Sequence, residues 1–241
     1  MRRYKVLLLC LLQVFFPFTV NIARGIEIIN ECRTKQQIIT MDELDNTKLD
    51  MRLPNLLLDR GIIDQAFYNF IAALNLTQLE NHIFNEIENY DDNTDIEKLF
   101  HLIQIWGGWT GRIIYVRGGG FKAKKVMPHY RALIDACLSV HDNSEDSQNN
   151  VYEAIEVFNR NVKNINISFI TKHTRFWLYK NMRENALPIY DKVMAGGYMH
   201  HKNPLWRHLR PYWHLMIQQA EAEHVSLMQL ERRLFNQYRG Q

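Results

Sequence analysis

Residues 162–191 read Val-Lys-Asn-Ile-Asn-Ile-Ser-Phe-Ile-Thr-Lys-His-Thr-Arg-Phe-Trp-Leu-Tyr-Lys-Asn-Met-Arg-Glu-Asn-Ala-Leu-Pro-Ile-Tyr-Asp. The stretch predicts a helix ending near Val162, a tight connection, and a second helix starting around Phe169 that carries Lys172 in its first turns and buries Phe169, Phe176, Leu178 and Tyr179. Leu187-Pro188-Ile189-Tyr190 then reads as extended chain, because proline fixes φ and removes a backbone donor. Asp191 precedes the next apolar helical run, which is the residue type and the place of an N-cap. A lysine near one helix start and a carboxylate at the next cap can face one cleft. A hairpin between helices also exposes backbone N–H groups beside a helix N-terminus, which can hold a phosphate without reading sequence.

Outward from this hairpin the helical period persists. Leu74, Leu76, Leu79, Ile83 and Ile87, then Ile96, Leu99, Phe100 and Ile103, recur every three or four residues. Thr94 with Glu97 and Ser226 with Gln229 read as capping boxes, and Asn150 with Glu153 as a looser one. Breaks are expected at Tyr90-Asp91-Asp92-Asn93, Gly118-Gly119-Gly120, residues 142–149 and Ala195-Gly196-Gly197. Residues 112–116 could form a short strand. No solenoid repeat or heptad train is present. The chain has 241 residues with 46% hydrophobic residues, enough for one sizeable core. The expected fold is therefore all-α, a multi-helix bundle with a helix-hairpin-helix motif. It forms a single domain over residues 26–241, with the hairpin and chemical segment at 162–199.

Net charge is only +3, too mild to imply a polyanion partner by itself. Its distribution is uneven. Residues 26–100 carry 6 Lys or Arg against 15 Asp or Glu, and residues 161–241 carry 12 against 5. One face turned to a polyanion explains this; two faces of opposite sign attracting each other explain it equally well. Arg112, Arg117, Lys122, Lys124 and Lys125 form a locally basic stretch fit for phosphate contacts, although any charged loop looks the same. Cys10, Cys32 and Cys137 form no CxxC pair, and adjacent His200-His201 point about 100° apart on a helix, so no metal site is expected.

In these residues the chain resembles the helix-hairpin-helix DNA glycosylases of the 8-oxoguanine type, and more closely their bacterial OGG-fold relatives. The likeness rests on Ser168-Phe169-Ile170-Thr171-Lys172, the aromatic helix after it, and Pro188-Ile189-Tyr190-Asp191, with Lys172 and Asp191 separated by 19 residues. Ile105-Trp106-Gly107-Gly108-Trp109-Thr110-Gly111-Arg112 and Leu230-Glu231-Arg232-Arg233-Leu234-Phe235 are also family-like, and the likeness spans roughly residues 70–240. One departure stands out. The family hairpin carries glycines ahead of its Thr-Lys, whereas this chain has Ile167, Ser168, Phe169 and Ile170; Asn164 and Asn166, the non-glycine type most tolerant of left-handed backbone, are candidates to make the turn instead.

The resemblance implies an enzyme that excises an oxidised or modified purine from DNA through a lysine Schiff base, with strand-cleaving lyase activity. Lys172 would be the nucleophile, and Asp191 would orient it or stabilise the developing positive charge. Asn164, Asn166, Ser168 and Thr171 would contact phosphates, and Trp106, Trp109, Phe176 and Trp177 would supply a stacking wall. The implied partner is double-stranded DNA with a flipped damaged base, without cofactor, metal, obligatory protein partner or stable membrane contact. Rival readings make Lys172 an ordinary solvated lysine and Asp191 only a cap. Two further functions compete: a non-catalytic DNA-binding protein of the same fold, and an exported helical protein.

The amino terminus bears on the last of these. Arg2, Arg3 and Lys5 precede an apolar run over residues 6–18, as in a secretory signal, but the following segment is a weak cleavage site and the run is short for a bilayer span. Residues 1–25 are an export signal, a buried amphipathic helix, or the result of a start assigned upstream of Met41 or Met51. An intracellular substrate favours the last, and with it a cytoplasmic location.

Overall fold

The computed structural model describes residues 47–239. The amino-terminal segment and Met41 lie outside the described residues. The elements are α1 (Arg52–Asp59), α2 (Gln65–Ala72), α3 (Leu76–Glu88), α4 (Ile96–Trp106), the single turn α5 (Ile113–Val116), α6 (Ala123–Leu138), α7 (Glu145–Asn161), α8 (Ile167–Met182), α9 (Leu209–Glu223) and α10 (Leu227–Tyr238). Short 3-10 turns and a π turn, Met194–Tyr198, join them. The fold is all-α. Among the described residues no helix is long and apolar enough to cross a membrane.

Helix α8 is the axis of the bundle and packs against α3, α4, α6 and α7. Being enclosed, it buries residues all round rather than along one stripe: Ile167, Phe169 to Thr171, His173 to Leu178, and Met182. Several of its polar positions are satisfied internally. Thr171 and Thr174 donate to the carbonyls of Ile167 and Ile170, and His173 lies within 2.8 Å of the Tyr130 hydroxyl and 3.1 Å of the Gln104 amide. Trp177 is fully buried and donates to the same Tyr130 hydroxyl at 2.7 Å.

Several local features differ from expectation. Residues 112–116 form no strand; they complete a 3-10 turn, Trp109–Arg112, and continue as α5, since no neighbouring strand is present there to supply ladder partners. The cap of α4 is Asp95, which accepts from Glu97 N and Lys98 N, while Thr94 is occupied with Asp91. The polar stretch 142–149 is the cap and first turn of α7: Asp142 gathers the hydroxyls of Ser144 and Ser147 at 2.6 and 2.7 Å. Those donors hold its carboxyl down at about 2. Helix α10 does begin with the Ser226–Gln229 box, and α3 begins with a matching Asn75–Gln78 box that was not among the expected caps.

Much of the charge asymmetry is spent inside the molecule. Glu80 of α3 faces Arg175 at 3.6 Å and Arg232 at 3.5 Å, and Glu88 pairs with Arg183, so acidic early helices grip basic late ones.

Candidate active site

The connection between α7 and α8 is a tight hairpin. Val162 and Ile165 turn into the core. Asn164 adopts φ 65°, the left-handed region that asparagine enters more readily than other non-glycine residues. Asn166 caps α8 by accepting from Phe169 N at 3.1 Å. The Gly118-Gly119-Gly120 loop, with φ of 60°, 86° and 78°, lies against this hairpin. A Cβ on Gly118 would come within 2.8 Å of Asn164 Nδ2, so the glycine absent from the hairpin is present beside it.

Lys172 projects from the second turn of α8 toward the end of α4. Its Nζ is 3.5 Å from the Gly107 carbonyl oxygen, 4.5 Å from the Phe169 ring centre and 5.9 Å from that of Trp106. Burial of the amine lowers its pKa from the usual lysine value, while the carboxylates of Asp191 and Glu231 pull it part of the way back. The site depends on close backbone approach: a Cβ on Gly107 would lie 2.3 Å from Phe169 Cε1, and one on Gly111 would lie 2.9 Å from the same atom. The Trp-Gly-Gly-Trp-Thr-Gly run thus forms the floor on which the Phe169 ring and Lys172 rest.

Asp191 caps the turn that follows it, accepting from Met194 N at 3.0 Å. The extended segment leading to it is fixed from four directions. Trp213 Nε1 donates to Pro188 O at 3.1 Å, the Tyr212 hydroxyl to Ile189 O at 2.8 Å, Ile189 N to Glu231 Oε1 at 2.8 Å, and Tyr190 N to Thr171 Oγ1 at 3.1 Å. The last bond joins the residue before Lys172 to the residue before Asp191. Glu231 is itself buried and holds Arg175 Nε at 2.9 Å; burial raises its pKa against the lowering effects of Arg175 and the Ile189 N–H.

The structure thus sets Lys172 beside Trp106 and ties the residue before Lys172 to the residue before Asp191, with the Asp191 charge acting on the amine from beyond ion-pair distance. Two aromatic expectations fail on burial. Phe176 and Trp177 are completely enclosed in the core, so neither presents a face to a ligand. Trp109 is only partly buried, but the guanidiniums of Arg112 and Arg52 stand over its ring at 4.6 and 5.4 Å. Thr171 is 1% exposed and bonds only within the protein, so it positions backbone and does not reach a phosphate. Ser168 is partly buried, Asn166 exposed, and Arg117, Lys122, Lys124 and Lys125 are exposed around the glycine loop. Glu231 and Arg175 are the residues missed: a carboxylate and a guanidinium on different helices carry no sequence signal that they meet.

Compared with known protein families, curated proteins and solved structures, the chain matches none.

Proposed function

We propose that the protein is a DNA glycosylase that removes an oxidised or otherwise modified purine through a Schiff base on Lys172 and then cleaves the strand. The observation that carries this reading is the setting of one amine. Lys172 Nζ rests against aromatic rings and a carbonyl, with its pKa lowered by burial and the charge of the capped Asp191 carboxylate opposing that shift from beyond ion-pair distance. An amine that gives up its proton more easily than ordinary lysine is what nucleophilic attack on a sugar requires.

In this reading the target nucleotide leaves the stack, at a cost that is least for a damaged or poorly paired base. The neutral Nζ attacks C1′ and the C1′–N bond breaks; its electron pair leaves with the base, which takes a proton from water. Asp191 stabilises the positive charge developing on the sugar. Loss of an amine proton and opening of the C1′–O4′ bond give the imine. Removal of a C2′ proton expels the 3′ phosphate, and water then releases the lysine.

Support for a phosphate-binding face comes from the surroundings of the hairpin. Lys122, the N-cap residue of α6, makes no side-chain cap bond, which leaves the N–H groups of Ala123 and Lys124 without a capping side chain at a helix start suited to an anion. Lys122, Lys124 and Lys125 are exposed there, and the glycine loop joins this helix start to Asn164.

Borohydride trapping on duplexes carrying single oxidised purines tests the proposal. A covalent protein–DNA adduct is expected with the intact chain and none with Lys172→Gln. Binding without trapping would replace the enzyme by a DNA-binding module of the same fold.

A further inference from the structure

A cavity of about 530 Å³ opens between α2, the loop before it and the first turns of α4. Its α4 lining runs from Asp95 to His101, toward the opposite end of that helix from Gly107, whose carbonyl lies by Lys172. The buried polar side chain in its lining is His101, 3% exposed. Burial keeps the Tyr115 hydroxyl protonated, and that hydroxyl lies 2.8 Å from His101 Nδ1. The hydroxyl has no other acceptor among the described residues, so it donates to Nδ1, and the ring proton is assigned to Nε2, the nitrogen on the Glu97 side. His101 Nε2 has no hydrogen-bond partner among the described residues. The Glu97 carboxylate stands 3.7 Å away, too far to accept its proton.

The rest of the lining narrows what can enter. Asp64 and Asp95 already accept from backbone N–H groups as helix caps. With Glu97 they outnumber Lys98, so a phosphate is repelled. The Lys98 ammonium stands 5.9 and 5.8 Å from the Phe67 and Phe70 ring centres and takes the place a cationic ligand would use. An ammonium or guanidinium also carries no acceptor for Nε2–H. What the site lacks is an acceptor for His101 beside a donor for Glu97, on a flat body that suits aromatic walls.

We propose that this cavity binds an uncharged planar lactam heterocycle of the purinone or pyrimidinone type, its carbonyl accepting from His101 Nε2–H and its adjacent ring N–H donating to Glu97. The site is separate from Lys172 and does not rest on its chemistry. The same carbonyl and N–H pair occurs in a side-chain carboxamide, which lacks the ring.

Calorimetric titration of the full chain with hypoxanthine, inosine monophosphate and propionamide tests this, alongside nitrogen-15 spectra of the histidine rings. Hypoxanthine is expected to bind and to shift the His101 Nε2 resonance, with the monophosphate and propionamide each at least about tenfold weaker. Glu97→Gln, on a side chain 43% exposed, is expected to keep the melting temperature and weaken hypoxanthine at least about tenfold, whereas Lys172→Gln leaves it unchanged. Absence of hypoxanthine binding, equal binding by Glu97→Gln, equal or tighter binding of the monophosphate or propionamide, or sensitivity to Lys172→Gln would each overturn the proposal.

Discussion

Among single residues, the proposed reactivity turns on the charge state of Lys172. Burial lowers the pKa of the amine and Asp191 raises it. Only the neutral amine attacks, so the single-turnover rate should rise with pH through a midpoint below the ordinary lysine value of about 10.4. Asp191→Asn removes the charge that favours the ammonium, so it should move that midpoint to lower pH while reducing the maximal rate. An unchanged midpoint in this variant would show that the carboxylate does not act on the amine. The same substitution separates two roles. Asparagine caps a helix about as well as aspartate, whereas Asp191→Ala gives up the bond from Met194 N and should cost about 1 kcal/mol in denaturant unfolding.

Between elements, the α4–α8 contact determines where the amine points. Gly107→Ala would drive a methyl group into the Phe169 ring, which is packed and has nowhere to swing. The expected result is a loss of about 1–3 kcal/mol of stability together with reduced adduct formation, read by chemical denaturation and by trapping. Unchanged stability would mean that the helices part easily. Much of this level is legible in the sequence: α8, the hairpin and the Asp191 cap follow from apolar spacing, asparagine and proline, because those signals are local. The start of α7 reads as a loop because Asp142, Ser144 and Ser147 show their role only once their side chains close on one another. Phe176 and Trp177 fail as a ligand wall for a different reason. Periodicity distinguishes faces only when one face is wet, and α8 has neighbours nearly all round.

Across the molecule as a whole, two histidines buried in the neutral state govern acid behaviour. Burial depresses His101 to about 4 and His173 to about 3. The unfolded chain takes up these protons near the ordinary histidine value of about 6.5, well before the folded one does. Stability should therefore be intact above about pH 6.5 and fall as the pH drops from there toward 3–4, which acid titration of the unfolding midpoint measures. A flat profile over that range would mean that these rings are hydrated. The Arg175–Glu231 pair ties α8 to α10 and to the Ile189 backbone, so Glu231→Gln should destabilise the fold, by less than the ~3–5 kcal/mol of a buried charge left alone because Glu80 still faces Arg175. This long-range network is not legible in the sequence, because it joins residues whose meeting depends on the completed fold. DNA affinity should weaken with salt, and Lys124→Ala with Lys125→Ala should lower the slope of log affinity against log salt by about 2. The proposed chemistry stands or falls on where a covalent bond forms. Peptide mass spectrometry of the borohydride-reduced adduct reads this directly: the added sugar is expected on the Lys172 side chain, and an adduct on any other lysine would contradict the proposed role of this amine.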